Sequence, residues 1–345
     1  MSVHPSPLEF AAGLTRGAPF PTRRLEGWRW SDLQRVLKTL PPESPPVGLA
    51  PGQGPFHGLA EDQLILVNGR GAGEGLRLDR DVIVRFISDA TGTGHETRLR
   101  IEVPPNTVVT LFESYEGRGS GYFANTLIEI EVGAGARLER IVRLDEPADA
   151  VSISTSEVRL SAGSAFRQTV LASGARLQRH ETHVRHPGQG ATAEVNGAYV
   201  LREQRHFDLT TTVTHEGEGG TTRQLIKGVV ADEARGVFQG RITVLAGADR
   251  TDARMGHHAL VLSDRAEVDA KPELEIWADD VQCAHGNTVG SLDENALFYA
   301  RSRGMTEAQA RALLTEAFLG QAVDGIAQEA AQERARAWIA ERLAA

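Results

Sequence analysis

Glycine-containing turns recur at a nearly constant interval along the middle of the chain. Several lie in similar phrases, such as GAGAR at residues 133–137, AGSAF at 162–166 and GQGAT at 188–192. Self-similarity on this period is typical of a solenoid, in which each coil has open faces until the next coil stacks on it. The turn glycines are Gly135, Gly163, Gly190, Gly220 and Gly247, separated by 28, 27, 30 and 27 residues.

The stretches between these turns have the composition of strands. From about residue 81 to 276 the chain is rich in Val, Ile, Thr and Leu in short alternating runs, as at 126–132 and 151–160. Such runs favour β-structure, so we predict a mainly β fold with a parallel β-helix over residues 81–276. A β-sandwich or a double-sheet jelly roll stays open, because glycine is common and the residues between the phrases diverge.

Residues 1–80 are predicted to be an N-terminal region with short helices and one strand. Repeated prolines between residues 41 and 55 forbid long helices, because each removes an amide donor and clashes with the preceding turn. Residues 31–40 carry apolar side chains at helical spacing, with Ser31 able to cap the helix start. Residues 64–67, followed by Asn68 and Gly69, predict a strand entering a turn.

Residues 277–345 are predicted to form a C-terminal helical domain. The segment 291–294 reads Ser-Leu-Asp-Glu, which matches a capping box opened by Ser291. A cationic last turn before Gly304 favours a helix end there. Thr306 and Gln309 form a second capping box, and a last amphipathic helix contains Trp338. The predicted apolar stripe of the second helix is Ala310, Leu313, Leu314, Ala317 and Phe318.

Composition argues against several classes of function. The formal net charge is −9 and no dense basic run is present, so nucleic acid is not an expected partner. The chain has neither a secretory signal pattern nor about 18 consecutive apolar residues, so we expect no membrane association and a cytoplasmic protein. The single cysteine cannot form an intramolecular disulfide, and an iron-sulfur cluster usually takes four thiolates, so we expect no stably bound cluster on the isolated chain.

Cys283-Ala284-His285 is the most reactive-looking constellation. If its backbone is extended, the thiol and the imidazole point to the same face about 7 Å apart, where they can address one ligand or activate each other. A thiolate binds metal or attacks sulfur, and a neutral imidazole binds iron. The plainer interpretation, a buried inert cysteine beside a surface histidine, stays open.

Other histidines are weaker candidates. His180, His183 and His186 cannot close a metal site on one strand, because the middle residue points to the opposite face; we expect solvated side chains near the bend at residue 187. His257-His258 and His215-Glu216 lack a cupin spacing. No phosphate-binding loop and no nucleophile elbow is present, so neither ATP hydrolysis nor serine-hydrolase chemistry is expected. A glycosidase-like carboxylate pair is left open by the sequence.

One stretch carries a specific family resemblance. Residues 278–305, ADDVQCAHGNTVGSLDENALFYARSRGM, resemble the C-terminal signature of the SufB and SufD iron-sulfur cluster assembly scaffold proteins. GVFQGRITV at 236–244, ALVLSDRAEVDAKPELEI at 259–276 and EGWRWSDL at 26–33 support it. The short chain, its one cysteine and the Trp28-x-Trp30 phrase resemble the SufD branch, although the region before residue 81 is shorter than in many SufD chains.

The resemblance implies a right-handed parallel β-helix that pairs with SufB and docks the ATPase SufC through its C-terminal helices. It implies that Cys283 and His285 lie near the SufB interface, where a transient cluster or iron is shared with SufB. A sulfur-donating desulfurase is then an indirect partner, the complex can bind reduced flavin, and a homodimer is possible. The expected partner-binding residues on the helices are Leu297, Phe298, Tyr299, Leu313, Leu314 and Phe318.

A second hypothesis comes from a different class of protein. β-Helices also occur as enzymes that act on polysaccharide, with acid and base carboxylates in a groove. The resemblance instead implies a non-catalytic subunit, and the C-terminal helices have no evident use in a polysaccharide enzyme.

Overall fold

The chain winds between two sheets of parallel strands. The computed structural model describes residues 5–48, 51–71, 73 and 75–344. The strands are β1 (Asp62–Val67), β2 (Leu76–Arg77), β3 (Val82–Ser88), β4 (Gly94–Val103), β5 (Val108–Gly117), β6 (Phe123–Val132), β7 (Arg137–Asp145), β8 (Val151–Leu160), β9 (Ala165–Ala172), β10 (Leu177–His186), β11 (Thr192–Leu201), β12 (His206–His215), β13 (Thr221–Val230), β14 (Arg235–Val244), β15 (Thr251–Val261), β16 (Glu267–Ile276) and β17 (Val281–Gly290). Odd-numbered strands form a nine-stranded sheet and even-numbered strands an eight-stranded sheet, each in chain order.

Each strand pairs with the strand two places along the chain. Thr192 of β11, for example, pairs with Ala165 of β9 and with Thr221 of β13, both in parallel. One coil therefore contributes one strand to each sheet, which confirms the predicted parallel β-helix. The sandwich alternative is wrong, because its sheets would be antiparallel. Strands extend beyond residues 81–276 at both ends, so Cys283 and His285 lie on the last strand and not in the helical region.

The recurrent glycines stack one coil on the next. Gly135, Gly163, Gly190 and Gly247 have φ between 63° and 85°, a left-handed conformation that costs glycine little. In the turn that contains Gly220, the neighbouring Gly219 takes the left-handed conformation, with φ 71°. The amide of Gly135 donates to the carbonyl of Ala162 in the next turn at 2.9 Å, and the same bond recurs from Gly163, Gly190 and Gly219. The turns thus form a hydrogen-bonded ladder of their own.

The space between the two sheets, called the lumen here, is filled with side chains. Alternation along each strand sends one set inward, and fully buried rings such as Phe166, Phe207 and Phe238 belong to this set. Polar residues are also inside: Glu113 and Arg140 are at most 1% exposed and bond to each other. Buried charges persist only when they are paired, so the lumen is a packed core with a polar section.

The N-terminal segment, residues 5–48, lies across the outer face of the eight-stranded sheet. Its elements are α1 (Pro7–Gly13), a 3-10 turn (Glu26–Trp28) and α2 (Leu33–Leu37). Phe20, Trp28 and Leu33 are buried there against side chains of β6, β8 and β10. Contacts reach from the carbonyl of Ala11, bound by Asn125 of β6, to Glu26, bound by Lys271 of β16. Thr15 also bonds Glu96 of β4, so the segment spans seven strands of that sheet, from β4 to β16.

The predicted helix at residues 31–40 begins later than expected. Asp32, whose side chain accepts from the amide of Arg35, is the N-cap of α2. Ser31 is instead fully buried, and its hydroxyl donates to Asp208 of β12. The strand prediction at residues 64–67 is confirmed by β1, which enters a tight turn with left-handed Asn68 and Gly69.

The C-terminal helices cover the outer face of the nine-stranded sheet. They are α3 (Glu294–Ser302), α4 (Glu307–Gly320) and α5 (Glu329–Ala344). Trp338 and Ile339 are buried in one apolar cluster with sheet residues such as Phe112 and Leu171. The helices are thus part of the folded core, with one apolar layer between them and the nine-stranded sheet.

The helix caps agree with the sequence prediction in two places and differ in a third. Gly304 is left-handed with φ 93°, and the reciprocal capping bonds of Thr306 and Gln309 are both present. Asp293, not Ser291, is the N-cap of α3. The predicted α4 stripe is rotated: Ala310, Thr315 and Leu319 are buried, whereas Leu313 and Ala317 are exposed. In an alanine-rich helix, apolar spacing alone fits either face.

Candidate functional site

The C-terminal end of the solenoid is open. Strands β16 and β17 close the two sheets, and no strand within the described residues pairs with their outer edges. Such edges present unpaired amide and carbonyl groups, and they can pair with a strand of another chain. Large apolar side chains are exposed at this end: Ile276, Trp277 and Val289 are 42%, 70% and 46% exposed. We call this surface the open end.

Cys283 and His285 lie on the inner face of β17, at the open end. Cys283 pairs in register with Ala253 of β15 and packs partly buried against the lumen cluster. His285 lies over buried Met255 and is exposed. On an extended strand such residues are about 7 Å apart. They are therefore placed to hold one ligand between them.

The Cys283 thiol is not activated in this setting. Burial raises its pKa above the ordinary value, an effect that a hydrogen bond with the Ala253 backbone partly opposes. At neutral pH the group is a thiol, and a thiolate forms there only when a metal or a cation replaces the proton.

A hydrogen-bonded chain runs from the lumen to the open end beside these residues. The Tyr199 hydroxyl lies 2.9 Å from His257 Nε2, and His257 Nδ1 lies 2.6 Å from Asn287 Oδ1. Tyr199 and His257 are fully buried, and the ring of Phe238 stacks on His257 at 4.8 Å. Burial lowers the pKa of His257 to about 4, so its ring is neutral at pH 7. Sequence reasoning missed Asn287, although its offset of 30 residues from His257 matches the coil period.

The other histidines are placed differently from the sequence expectation. His180 and His186 were expected in solvent, but both are fully buried in the lumen, while His183 lies on the outer face with Glu181. The ring of His186 lies 4.3 Å from that of His215. Burial lowers the pKa of His186 to about 3 and that of His215 to about 4. The solvated prediction failed because residues 180 and 186 share the inner face of β10.

No preformed metal centre is present in the described part of the chain. No group of three or more His, Cys, Asp and Glu side chains there is arranged to hold a metal ion. His257 and His258 point to opposite sides of β15, since His257 bonds Asn287 inward and His258 bonds Thr288. Cys283 and His285 can supply two ligands to a metal, and further ligands must come from another molecule.

The predicted partner-binding residues divide into two sets. Leu297 is buried, and Leu314 and Phe318 are half-buried against the sheet, where Lys227 lies 4.3 Å from the Phe318 ring centre. Phe298, Tyr299 and Leu313 are 75%, 61% and 48% exposed. The exposed three are available to a partner, while the others hold the helices in place.

Among the helices of the described residues, none combines the length and the apolar character that crossing a membrane requires.

Comparison with known proteins places these features in a family. The family described as "SUF system FeS cluster assembly, SufBD core domain" matches residues 86–318. The chain is 34% identical to the iron-sulfur cluster assembly protein SufD of Escherichia coli over 223 residues, which is 64% of this chain and 52% of that protein. It is 32% identical to an iron-sulfur cluster assembly SufBD family protein of Synechocystis over 259 residues, covering 72% and 57%.

A third relative gives the same result. An iron-sulfur cluster assembly SufBD family protein of Mycobacterium bovis is 31% identical over 262 residues, covering 74% of this chain and 64% of that protein. The chain thus spans between about half and two thirds of the length of these relatives.

Proposed function

The chain belongs to the SufB/SufD family of iron-sulfur cluster assembly proteins, and from this premise we propose that it is a SufD-type scaffold subunit of a SufBCD complex. It contributes no catalytic step of its own. Its task is to pair with SufB and to present the thiol of Cys283 and the imidazole of His285 to an iron-sulfur cluster that forms between the two subunits.

The observation that carries this proposal is the position of Cys283 and His285 on a strand whose outer edge is free. A partner of the same fold can add its own edge strands to β16 and β17, which satisfies the unpaired backbone groups. The exposed side chain of Trp277 beside this edge suits the apolar centre of such an interface. Pairing brings the partner's ligands to the inner face of β17.

The cluster is cargo that the two subunits share. A cluster usually takes four thiolate ligands, and this chain supplies one thiol and one imidazole. SufB supplies the remaining ligands, and the desulfurase that donates sulfur acts indirectly, outside this chain. Docking removes solvent from His285 and Cys283, which strengthens their interaction with a metal cation. Any reduced flavin used by the complex is bound in the assembled complex and not by the isolated chain.

SufC docks on the exposed part of the C-terminal helices. Phe298, Tyr299 and Leu313 supply aromatic and aliphatic contacts there. Because α4 and α5 pack directly on the nine-stranded sheet, a movement that SufC makes on hydrolysing ATP is transmitted to the solenoid as a rigid body. Such a movement can open and close the SufB interface.

Co-purification tests the proposal. The tagged chain is co-expressed with untagged cognate SufB and SufC, and we expect both to elute with it. The variant Trp277→Asp tests the open end as the SufB surface. It should lose SufB and keep SufC, because the substitution lies only at the open end. Failure of both wild-type partners to bind, or cleavage of sugar polymers by the pure chain, would contradict a scaffold role and favour the polysaccharide hypothesis.

A further inference from the structure

We propose that Asn287 is a third residue of the assembly surface, held by Tyr199 and His257 so that its amide N–H groups donate to the sulfur of the forming cluster. This inference rests on the proposed function, because it assumes that the cluster forms beside Cys283 and His285.

The hydrogen-bond roles follow from the chemistry of the three groups. The Asn287 Oδ1 atom can only accept, so His257 Nδ1, 2.6 Å away, must carry the proton. A neutral imidazole has one N–H, so His257 Nε2 accepts from the Tyr199 hydroxyl at 2.9 Å. The Asn287 oxygen therefore sets the tautomer of the histidine, and the Tyr199 hydroxyl, which can donate or accept, holds the second ring nitrogen in place.

Two glycines make room for this chain. Tyr199 extends from β11 across Gly228 of β13 to reach His257 of β15. A Cβ at Gly228 would lie 1.9 Å from the Tyr199 ring, and a Cβ at Gly236 on the opposite sheet 2.9 Å from it. The Tyr199 ring thus has one position, so the orientation of His257 is set by packing as well as by hydrogen bonding.

The consequence for Asn287 concerns its nitrogen. A carboxamide is planar, and because Oδ1 faces His257 on the preceding coil, Nδ2 faces away from that coil, toward the open end. The Asn287 side chain is exposed and lies on the same face of β17 as His285. Two N–H donors are therefore presented beside the imidazole, without a further rotation of the amide.

Sulfur of a cluster suits these donors better than a partner backbone does. Side chains project perpendicular to a sheet, whereas the hydrogen bonds of an added strand lie in the plane of the sheet. The Asn287 amide thus points at whatever occupies the space over the inner face, where Cys283 and His285 point too. Hydrogen bonds to cluster sulfur change the stability and reduction potential of a cluster.

The test uses the complex of the chain with SufB and SufC, reconstituted anaerobically with ferrous iron and sulfide. Asn287→Asp keeps an oxygen for the His257 proton but replaces the donors by a negative charge that repels sulfide. We expect about tenfold weaker cluster retention, the usual size of an outer-shell effect, with normal SufB binding. Thr288→Val is the matched control, because it removes the bond to His258 on the opposite face of the same strand, and it should behave as wild type.

The variant Tyr199→Phe keeps the Asn287 amide but removes the hydroxyl that helps to position it through His257. Without the phenol, His257 Nε2 loses its hydrogen-bond partner Tyr199 and the ring is held less firmly, so the amide of Asn287 can turn its nitrogen toward His257 and withdraw its donors. We expect a changed nitrogen NMR shift of His257 Nε2 in the isolated chain, and a shifted reduction potential of the bound cluster with SufB binding unchanged.

The outcomes keep the two proposals apart. If the wild-type complex fails to assemble or to hold a cluster, the scaffold function fails. If the wild type holds a cluster and Asn287→Asp retains it equally well, or if that variant weakens only SufB binding, the role of Asn287 as a sulfur donor is wrong while the scaffold function stands.

Discussion

Arg140 and Glu113 form a two-bonded ion pair inside the solenoid, one coil apart. The two hydrogen bonds, Nε to Oε2 and Nη2 to Oε1, measure 2.8 and 2.7 Å, and both side chains are at most 1% exposed. Tyr115 donates to the same carboxylate, and Gln168 accepts from Arg140. Every strong hydrogen-bonding group of the pair thus has a partner, which is the condition for keeping charges in a core.

Breaking this pair should destabilise the chain strongly. Glu113→Gln leaves the Arg140 charge uncompensated in the lumen, and we expect a loss of about 3–5 kcal/mol in the free energy of unfolding. The double variant Glu113→Leu with Arg140→Met removes both charges and should lose less than the single variant. Urea denaturation of all three chains measures this. A double variant that is less stable than Glu113→Gln would show that the pair itself stabilises the fold.

Buried histidines should make the fold sensitive to acid. Burial lowers the pKa of His95, His206, His215 and His257 to about 4 and that of His186 to about 3, whereas an unfolded histidine titrates near about 6.5. Below that value the unfolded chain binds more protons, so stability is complete above about pH 6.5 and is lost as the pH falls toward the folded values.

The expected slope is about 1.4 kcal/mol per pH unit for each such histidine. Five together approach the whole stability of an ordinary domain within one or two pH units, so we expect acid unfolding near about pH 5. Thermal melts between pH 4.5 and 8 check this. His215→Gln should flatten the curve, and a curve equal to that of the wild-type chain would refute the explanation.

At the assembly surface, His285 should matter more than Cys283. The raised pKa of Cys283 keeps it a thiol at neutral pH, and a thiol from SufB can replace it. The imidazole of His285 is exposed, and a neutral imidazole is an iron ligand. We expect the His285→Ala complex to assemble normally and to contain several-fold less iron, and Cys283→Ser to have a smaller effect. Iron and sulfide analysis of the purified complexes measures the effect of each variant. A normal iron content in an intact His285→Ala complex would contradict the prediction.

SufC docking should depend on exposed residues of α3 and α4. Deleting the last helices is an unsuitable test, because it would uncover the buried Phe112 and Leu171. The surface substitutions Phe298→Ser and Leu313→Ser should instead weaken SufC binding about tenfold or more, as loss of an interface anchor does. The control is Ala312→Ser, because Ala312 is exposed on α4 beside Leu313. SufC affinity measured by calorimetry decides, and equal affinity for all variants would place the dock elsewhere.

The solenoid could be predicted because glycine marks the turn in several of its coils. Where the left-handed position holds another residue, as at Asn106, Glu203, Asp232 and Arg250, the turn leaves no mark that distinguishes it from any surface loop. Gly219 and Gly220 are neighbours, so the sequence offered two candidates, and only the backbone distinguishes them. Ser31 was misassigned for a similar reason: a serine before a helix caps it locally unless a distant carboxylate, here Asp208, binds its hydroxyl.

The common face of Cys283 and His285 follows from strand alternation alone, and the structure has both residues on β17. The contact between Asn287 and His257 was missed because it joins two neighbouring strands. It depends on the register between β15 and β17, which an approximate period cannot fix to one residue. The polar section of the lumen was likewise hidden, since Arg140 and Glu113 look like ordinary surface charges until the coil is closed.

The path of the N-terminal segment has a consequence for biosynthesis. A free solenoid is close to a one-dimensional array, in which coils can form in order and fray from either end. Here Glu26 binds Lys271, 245 residues later in the chain. The residues that leave the ribosome first can therefore complete their docking only after the second-last strand has been made. Until then the outer face of the eight-stranded sheet is uncovered. Afterwards the N-terminal segment joins early and late coils into one cooperative unit.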